Sequence, residues 1–540
     1  INATRLFSVI HKKTLNVGRV MTPTLAMVVE REAAIAGFVP ETFFHVELAG
    51  DGFTAVSDRF RTREEAEHVR IACEGQPVTV SDVANQERTE HPPRLYDLTT
   101  LQRDANRLLG YSAQQTLDYA QSLYEKKWIT YPRTDSRFLP SDMAEAAVSI
   151  ANVALTVLPF LEGVPHNCDV HRVLDDAKVS DHHALLPTGQ IGTADAMALP
   201  AGEREVMHLI ALRLVIATGE DHRYVETKAR LACTGHDFLV KGKLVVSEGW
   251  RAVDAAFRET IRADSRKEGE ADSVKEQPPV TATLQPGMEV TAHRLAIREG
   301  KTTAPKPFTE DTLLSAMETA GAEEETEEST HRGLGTPATR AGIIEKLIRT
   351  EMMTRQGSQK TKTLQPTEKG RQLIAILPET IRSPRMTAEW EHRLSLIEKG
   401  ETAPDAFIKD IADFTAMLVE SHAQEASNSV EPPVNAEPIG PCPRCGASIL
   451  EGERRYQCAN PTCQFSLWKD NRFFTDKKVR LTRVLLASLL KDGKAPMKNL
   501  HSAKTGRSYD AVVILDDSGG QYVNFRLQFE ETGATKAKGR

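Results

Sequence analysis

The spacing of apolar residues along the chain predicts a mixture of helices and strands. Leu25, Val28 and Val29 recur at helical spacing and predict a helix that ends near Ala36. In other stretches β-branched and aromatic residues alternate with polar ones, which predicts strands. Further helices are expected at 62–72, 98–109, after Ser112, and at 203–217, 309–320, 337–349 and 479–490, and strands within 43–83, 224–233, 239–246 and 511–529. The pattern indicates a multidomain α+β protein.

A helix–turn–helix leads into the most distinctive part of the sequence. Its first helix is expected at 98–109, Gly110 supplies the turn, and Ser112 can cap the second helix. Gln121 and Glu125 lie four residues apart on the second helix and share a face near its end. A carboxylate there can handle a proton or order water, although an exposed helical glutamate is more often solvated surface.

The stretch that follows reads Trp-Ile-Thr-Tyr-Pro-Arg-Thr-Asp-Ser-Arg at 128–137, with Tyr131 before Pro132. Proline disfavours helical backbone at the residue before it, so the helix should end ahead of Tyr131. A phenol oxygen can attack phosphorus and form a phosphotyrosine. The guanidinium groups of Arg133 and Arg137 can hold a phosphate and neutralise charge on its oxygens. The alternative for these residues is a loop tyrosine packed on arginine stems.

Several motifs resemble those of type IA DNA topoisomerases and occur in that family's order. They are Gly18-Arg19-Val20-Met21-Thr22-Pro23-Thr24-Leu25, the decamer at 128–137, His182-His183-Ala184-Leu185-Leu186-Pro187-Thr188, and the elements at 333–340 and 364–370. The resemblance runs from Thr4 to the tail and is to topoisomerase III. It implies an enzyme that cuts one DNA strand, keeps the 5′ phosphate on tyrosine, passes a strand through the gap and reseals it. Transesterification conserves the bond energy, so no ATP is implied, and the sequence has no G-x-x-x-x-G-K-[ST] loop.

The resemblance implies a role for each residue at a matching position. Tyr131 is the expected nucleophile, Arg133 stabilises the developing charge, His182 supports the phosphate and religation, and Glu125 completes the catalytic set. The residues expected to contact DNA are Arg19, Thr22, Gln121, Thr130, Thr134, Asp135, Arg137 and Thr339.

The resemblance also implies a type IA toroid made of winged-helix modules and a β-rich arch, with a C-terminal zinc ribbon. The expected domains are 1–42 (first part of the base domain), 43–90 (first part of the arch), 91–222 (winged helix with the tyrosine), 223–300 (second part of the arch), 301–420 (rest of the base domain, a winged helix), 421–441 (linker), 442–470 (zinc ribbon) and 471–540 (basic C-terminal repeat). Segment 259–279 mixes charges of both signs and is expected to be a disordered insertion rather than a DNA-binding arm. The acidic run at 323–328 is expected to be a solvated excursion.

Four of the 7 cysteines have the spacing of metal ligands. Cys442-x2-Cys445 and Cys458-x4-Cys463 predict a structural Zn²⁺ ribbon, because tetrahedral thiolate coordination needs short knuckles brought together. Basic and aromatic residues around them suit base stacking and backbone contact. The other cysteines are scattered, which is typical of a cytosolic zinc protein rather than of a disulfide framework.

Charge and hydropathy limit the location and partners of the chain. The net charge of -7 does not itself indicate nucleic-acid binding, but residues 469–540 hold 15 Lys+Arg against 8 Asp+Glu, a balance of +7. No signal peptide opens the sequence, and the best apolar run, 148–161, is too short to span a membrane. We expect a cytoplasmic monomer, associated with a bacterial nucleoid or plasmid, that acts on single-stranded DNA with a helicase or single-strand-binding protein as partner.

The Mg²⁺ ligands of the family are expected in an N-terminal toprim domain that this sequence lacks. No D-x-D-x-E motif replaces it, and Asp175-Asp176 and Asp516-Asp517 are isolated pairs expected in turns. Because the chain opens at Ile1 in a helix-like stretch, we expect a truncated chain that is not active alone.

Three alternatives stay open for the chemistry. A non-catalytic single-stranded DNA-binding protein could use the same modules without an adduct at Tyr131. A tyrosine recombinase would need an Arg-His-Arg constellation that cannot be placed here. His182 and His183 beside Asp181 could indicate a metal site, which is weakened because no third ligand follows at helical spacing.

Overall fold

The computed structural model describes residues 1–540 apart from 180, 194, 196–197, 268–283, 291–293, 322–332, 358–361, 423–434, 453, 461–462, 464, 503–504, 518–522 and 530–540. The chain forms two compact units. The first holds Ile1 and Leu15–Asp413, and the second holds Asn2–Thr14 and Phe414–Arg540. None of the described helices combines the length and the apolar character needed to cross a bilayer.

An antiparallel sheet in the first unit is built from two separated stretches of the chain. Its strands are β1 (Thr42–Gly50), β2 (Phe53–Ser57), β3 (Val78–Glu90), β4 (His222–Cys233), β5 (His236–Ser247), β6 (Glu289–Val290) and β7 (Arg294–Lys301), in the order β6-β3-β4-β5-β2-β1-β7. Alternating side chains such as Val46, Leu48 and Leu231 are buried with residues of helix α3 (Arg63–Cys73). A capping box of Thr62 and Glu65 begins α3.

A helical part of the first unit is inserted between β3 and β4 and carries Tyr131. Its helices are α4 (Leu98–Leu109), α5 (Ala113–Glu125), α6 (Ala144–Val157) and α7 (Ala201–Ala217), with short 3-10 turns at Ser141–Met143, Pro159–Leu161, Val170–Val173, Asp176–Lys178 and Gly189–Gly192. Asp97 caps α4, Gly110 takes a left-handed conformation (φ 74°) after it, and Ser112 caps α5. Buried α7 residues such as Leu209 supply much of the core.

A second helical part surrounds a two-stranded hairpin. Its elements are α2 (Met21–Ala36), α9 (Glu310–Thr319), α10 (Pro337–Arg349), β8 (Met353–Gln356), β9 (Thr363–Pro366), α11 (Glu368–Ile376), α12 (Glu379–Arg382) and α13 (Pro384–Glu398). Helix α8 (Trp250–Lys267) follows β5, and α14 (Pro404–Ser421) runs from the first unit into the second. The helices α9 and α10 followed by the β8–β9 hairpin agree with the winged-helix pattern expected from the sequence.

The second unit contains α1 (Asn2–Ile10) and two small sheets. Its other elements are β10 (Asn435–Pro441), β11 (Ser448–Glu451), β12 (Arg455–Cys458), β13 (Ser466–Trp468), α15 (Arg472–Thr475), α16 (Arg483–Asp492), β14 (Lys494–His501), β15 (Ser508–Asp516) and β16 (Asn524–Gln528). Strands β10–β13 form one sheet and β14–β16 the other. Tyr456, Phe474, Leu486 and Val513 belong to one buried cluster, so the two sheets share a core.

Two predicted segments differ in the structure. Residues 259–267 continue helix α8 instead of being disordered, because Val253 is buried and the ring of Phe257 packs 5.5 Å from that of Phe160. The predicted linker 421–441 ends in β10, because residues 440–441 pair with β11, so the ribbon begins before Cys442. Residues 268–279 of the insertion, the acidic run 323–328 and residues 423–434 of the linker lie outside the described residues.

Candidate active site and metal centre

The backbone around Tyr131 is held against the segment 182–188. The Thr130 N–H donates to the Leu186 carbonyl at 2.9 Å, and the Thr188 N–H donates to the Trp128 carbonyl at 2.9 Å. The Thr130 hydroxyl oxygen accepts from the Leu186 N–H at 3.0 Å. These strand-like contacts bring together two motifs that lie far apart in the sequence.

The Tyr131 ring contacts two other aromatic rings. Its centroid lies 4.4 Å from that of His182 and 5.3 Å from that of Tyr124, which meets it edge-on at 78°. Tyr131 is half-buried, whereas Tyr124 and His182 are exposed. Aromatic pairs at such separations contribute about 0.5–1.5 kcal/mol beyond the area they bury. The ring is therefore held by its neighbours while the residue keeps partial access to solvent.

Thr134 is a buried link between the tyrosine loop (131–137) and His182. The side chain is 1% exposed. Its hydroxyl accepts from the Ser136 N–H and donates to the His182 carbonyl, each at 3.1 Å. The hydroxyl is used inside the protein, where it holds His182 beside the loop, and the DNA contact of Thr134 stays a prediction.

Arg133 and Asp135 are the exposed residues of the tyrosine loop. Within the described part of the chain no acidic side chain pairs with Arg133, so its guanidinium is available to an anionic ligand. At the end of α5, exposed Glu125 accepts from the side-chain amide of Gln121 at 3.0 Å. Glu125 directly follows Tyr124, which places this carboxylate on the helix end that meets Tyr131.

Arg137 is engaged inside the protein. Its Nε donates to Asp97 Oδ2 at 2.8 Å, and its Nη2 donates to Glu318 Oε1 at 2.9 Å. Burial lowers the pKa of the guanidinium, and the two carboxylates outweigh burial and raise the pKa above its usual value. Arg137 therefore links the tyrosine loop to α4 and α9, and its DNA contact stays a prediction.

Two predicted DNA-binding residues lie at the start of α2. The Arg19 side chain is 40% exposed and pairs with Glu391 at 2.7 Å. Thr22 is 1% exposed, and its hydroxyl oxygen accepts from the Gly18 N–H at 3.0 Å. Thr22 thus stabilises the chain entering α2 with its side chain out of solvent, and its DNA contact stays a prediction.

Thr339 lies in the first turn of α10. Its hydroxyl oxygen accepts from the Thr336 N–H at 3.0 Å in a capping box that begins the helix. Among the contacts between described residues, none joins Thr339, Arg19 or Thr22 to Tyr131. The contacts above bring Tyr131, His182 and the loop residues together, with Gln121 and Glu125 at the adjoining end of α5, and the DNA contacts of Thr339, Arg19 and Thr22 stay predictions.

The four ribbon cysteines lie as a tetrahedral metal site requires. Their Sγ atoms all lie within 4.8 Å of one another, with Cys442–Cys463 at 3.7 Å and Cys445–Cys458 at 3.4 Å. Tetrahedral Zn–S bonds of about 2.3 Å require S···S separations of about 3.8 Å, so the residues fit Zn²⁺. The backbone N–H of Ala447 lowers the pKa of the Cys445 thiol to about 7, which favours a thiolate ligand.

The local geometry of the ribbon explains how the first two ligands converge. The Gly446 N–H donates to the Cys442 carbonyl at 2.9 Å, and the Cys442 N–H donates to the Ala447 carbonyl at 2.7 Å. Gly446 has φ 76°, a left-handed conformation that glycine adopts easily. These four cysteines are the only gathered ligand group in the described chain, so the alternative of a metal at Asp181, His182 and His183 has no support.

Three residues beside the tyrosine loop have little or no functional signal in the sequence. Tyr124 could have been found from its position next to Glu125 at the same helix end. Asp97 could have been found as the cap of α4, because Thr100 follows it at capping-box spacing. Glu318 gives no local signal, since its link to Arg137 is entirely tertiary.

Comparisons with known proteins place this geometry in a family. A family model described as DNA topoisomerase matches residues 1–409. Relatives named DNA topoisomerase 3 from Bacillus licheniformis and Bacillus subtilis are each 36% identical, over 481 and 473 residues, and each comparison covers 84% of this chain and 62% of the relative. The solved structure of full-length topoisomerase I from Thermotoga maritima is similar with a TM-score of 0.54 at 22% identity, covering 84% of this chain and 71% of that chain.

The matched region includes every residue proposed for the active site. The likeness to the Thermotoga maritima structure confirms the fold class predicted from the sequence. The chain spans 62% of the length of the curated relatives that it matches. The chain belongs to the type IA DNA topoisomerase family and is topoisomerase III-like.

Proposed function

We propose that this chain carries the strand-cleaving tyrosine of an ATP-independent DNA topoisomerase. The Tyr131 phenol oxygen attacks a phosphorus of single-stranded DNA, the P–O3′ bond breaks, and a 5′-phosphotyrosine forms. The phenol proton is released and the 3′ oxygen leaves as a hydroxyl, and the reverse reaction reseals the strand after another strand has passed. The observation that carries the proposal is the Tyr131 ring held against His182, beside the exposed Arg133.

Each neighbouring group has a part in this chemistry. Arg133 neutralises charge that develops on the phosphoryl oxygens, and its permanent charge suits that role. His182 donates a hydrogen bond to the phosphate and supports religation. Glu125, ordered by Gln121, handles the proton or orders water at the reacting group.

The DNA strand contacts groups at the surface, while groups whose polar atoms are engaged inside the protein position them. We assign Gln121, Asp135, Arg19 and Thr339 to the strand. Thr130, Thr134 and Arg137 act through the protein, because their polar atoms already hold the segment 182–188, Asp97 and Glu318. The surface residues thus bind the DNA strand, and Thr130, Thr134 and Arg137 hold the loop that carries Tyr131 in place beside it.

The metals have separate roles. Zn²⁺ on Cys442, Cys445, Cys458 and Cys463 stabilises the ribbon. The four cysteines are the one group of three or more candidate metal ligands gathered in the described part of the chain, and the Mg²⁺ ligands are expected in the toprim domain. The same proposal includes the domain division inferred from the sequence and a monomeric state. It also includes a cytoplasmic location at a nucleoid or plasmid, and a helicase or single-strand-binding protein as partner.

A second function, single-stranded DNA binding without cleavage, is favoured by one surface of the ribbon. Trp468 is 50% exposed, and the Arg455 guanidinium lies 5.7 Å from its ring centroid. Exposed aromatic and cationic groups of this kind stack bases and contact the backbone. Such a protein would bind the same strand as the enzyme but would form no covalent bond.

Covalent trapping separates the two functions. A single-stranded oligonucleotide labelled at its 3′ end is incubated with the chain, Mg²⁺ and a separately purified toprim domain from a member of the family. The activity of that toprim domain is first verified by combining it with the other domains of its own enzyme. We expect the label to stay on the protein after denaturation, and Tyr131→Phe to abolish the adduct while oligonucleotide binding persists. Normal binding without an adduct from the wild-type chain would select the non-catalytic function.

A further inference from the structure

The tyrosine loop is fastened to two helices by a cluster of charges, which we call the loop clamp and which consists of Arg137, Asp97 and Glu318. Two different nitrogens of the Arg137 guanidinium contact the two carboxylates, Nε at 2.8 Å from Asp97 and Nη2 at 2.9 Å from Glu318. The Asp97 side chain is 4% exposed, and those of Arg137 and Glu318 are 35% and 26% exposed. A planar guanidinium can bridge two acceptors in fixed directions, which the single ammonium group of lysine cannot reproduce.

The Asp97 arm of the clamp joins the loop to the start of α4. Asp97 Oδ1 accepts from the Thr100 N–H at 2.7 Å, so the same carboxylate caps α4 and contacts Arg137 through its other oxygen. The Leu98 N–H donates to the Thr134 carbonyl at 3.1 Å, a second link between the helix and the loop. The position of the loop therefore follows that of the first turn of α4.

The Glu318 arm joins the loop to the last turns of α9. Glu318 also lies 3.8 Å from Arg103 on α4, and Arg103 contacts Asp311 at 2.9 Å. Three carboxylates thus face these two guanidinium groups, and the buried guanidinium of Arg340 on α10 also acts electrostatically on the three members of the clamp. This environment favours the charged form of Arg137. Withdrawing its guanidinium to meet a DNA phosphate would leave the nearly buried Asp97 without its ion-pair partner, with only Thr100 still donating to its other oxygen.

We infer that Arg137 is a positioning residue that, through Asp97 and Glu318, sets the place of Tyr131 for attack and couples it to α9. The inference rests on the proposed cleavage at Tyr131. The loop from 131 to 137 carries the nucleophile at one end and the clamp at the other, so a change at the clamp moves the phenol oxygen relative to phosphorus. Misplacement of reacting groups by about 1 Å lowers a rate by about 100-fold, whereas DNA binding through exposed residues is unaffected.

Variants of the two carboxylates test the clamp without removing a catalytic group. Glu318→Gln keeps the side-chain shape and removes the charge, and Asp97→Asn does the same while asparagine still caps α4. Asp311→Asn is the matched control, because it weakens the contact of Asp311 with Arg103, reaches the clamp only through the 3.8 Å contact of Arg103 with Glu318, and leaves both contacts of Arg137 in place. The dissociation constant for an oligonucleotide and the rate of adduct formation at saturating oligonucleotide are measured for each protein with the toprim module present.

We expect Glu318→Gln and Asp97→Asn to lower the saturating rate by about tenfold or more and to change the dissociation constant by less than about twofold. Asp311→Asn should keep both values near those of the wild type. Arg137→Lys should retain only part of the wild-type rate. Equal loss of rate in all variants would assign the effect to general packing and overturn the inference. Weaker binding by Arg137→Lys with an unchanged saturating rate would overturn it in favour of a DNA contact, and a wild-type chain without adduct would refute the proposed function instead.

Discussion

Replacing Thr134 by valine removes a hydroxyl that joins the tyrosine loop to His182 while keeping the volume of the side chain. That hydroxyl accepts from the Ser136 N–H and donates to the His182 carbonyl, each at 3.1 Å. Ser136 is 5% exposed, so its N–H would lose its partner out of reach of water, whereas exposed His182 can turn its carbonyl to solvent. An unsatisfied buried donor costs about 1–3 kcal/mol, which exceeds the loss of a bond that water replaces. We expect the loop to be destabilised by about 2 kcal/mol, mostly through Ser136.

Hydrogen exchange measures this cost where it arises. A local destabilisation of about 2 kcal/mol makes the Ser136 amide exchange about 30-fold faster in a peptide that covers 128–138. Thr134→Ser is the matched control, because it keeps the hydroxyl and removes a methyl group worth about 1 kcal/mol. The serine variant should therefore keep the protection of Ser136 although its own packing is poorer.

The same variants should separate at the level of chemistry. Because Thr134 holds His182, whose ring centroid lies 4.4 Å from that of Tyr131, Thr134→Val should slow adduct formation by about tenfold. Thr134→Ser should stay near the wild-type rate. A valine variant with wild-type exchange at Ser136, or a serine variant that loses protection equally, would refute the hydrogen-bond account.

Other perturbations act on separate parts of the chain. Tyr124→Ala should slow adduct formation by about two- to tenfold, the equivalent of one aromatic pair, and Tyr124→Phe should not; equal rates would count against a role in holding the Tyr131 ring. Cys458→Ser should remove about one zinc ion per chain by atomic emission and lower the melting temperature of the second unit, and full zinc content in this variant would contradict the four-cysteine site. Burial lowers the pKa of His166 and of His208 below the usual 6.5. Unfolded imidazoles take up protons near that pH more readily than these two half-buried ones, so the free energy of unfolding should fall as the pH drops below about 7, and His166→Gln should flatten part of the fall in thermal melts.

Helices whose ends are set by capping residues nearby in the sequence could be predicted closely. The bounds of α4, the left-handed Gly110 and the Ser112 cap of α5 follow from capping residues and apolar spacing, and the structure confirms them. Helix α8 could not be predicted across 259–267, because charged residues dominate that stretch and packing of its preceding turns, including Phe257, supports it. Pairing with β11 likewise extends β10 into a stretch whose proline, asparagine, serine and glutamate residues predict a linker.

The residues of the candidate site fall into two groups, one buried and one exposed. Along the tyrosine loop, Pro132, Thr134 and Ser136 are buried, while Arg133 and Asp135 are exposed. Successive side chains of an extended segment face opposite sides, so this alternation follows once the helix has ended before Tyr131. A match to the family motif treats all of these positions alike and predicts a DNA contact for Thr134. The two-residue alternation of exposure instead separates residues that can contact a DNA strand from residues that hold the loop. The exposed positions should therefore carry the chemistry and the buried ones its geometry, which is why substitutions at Thr134 and at Arg133 are expected to lower the rate for different physical reasons.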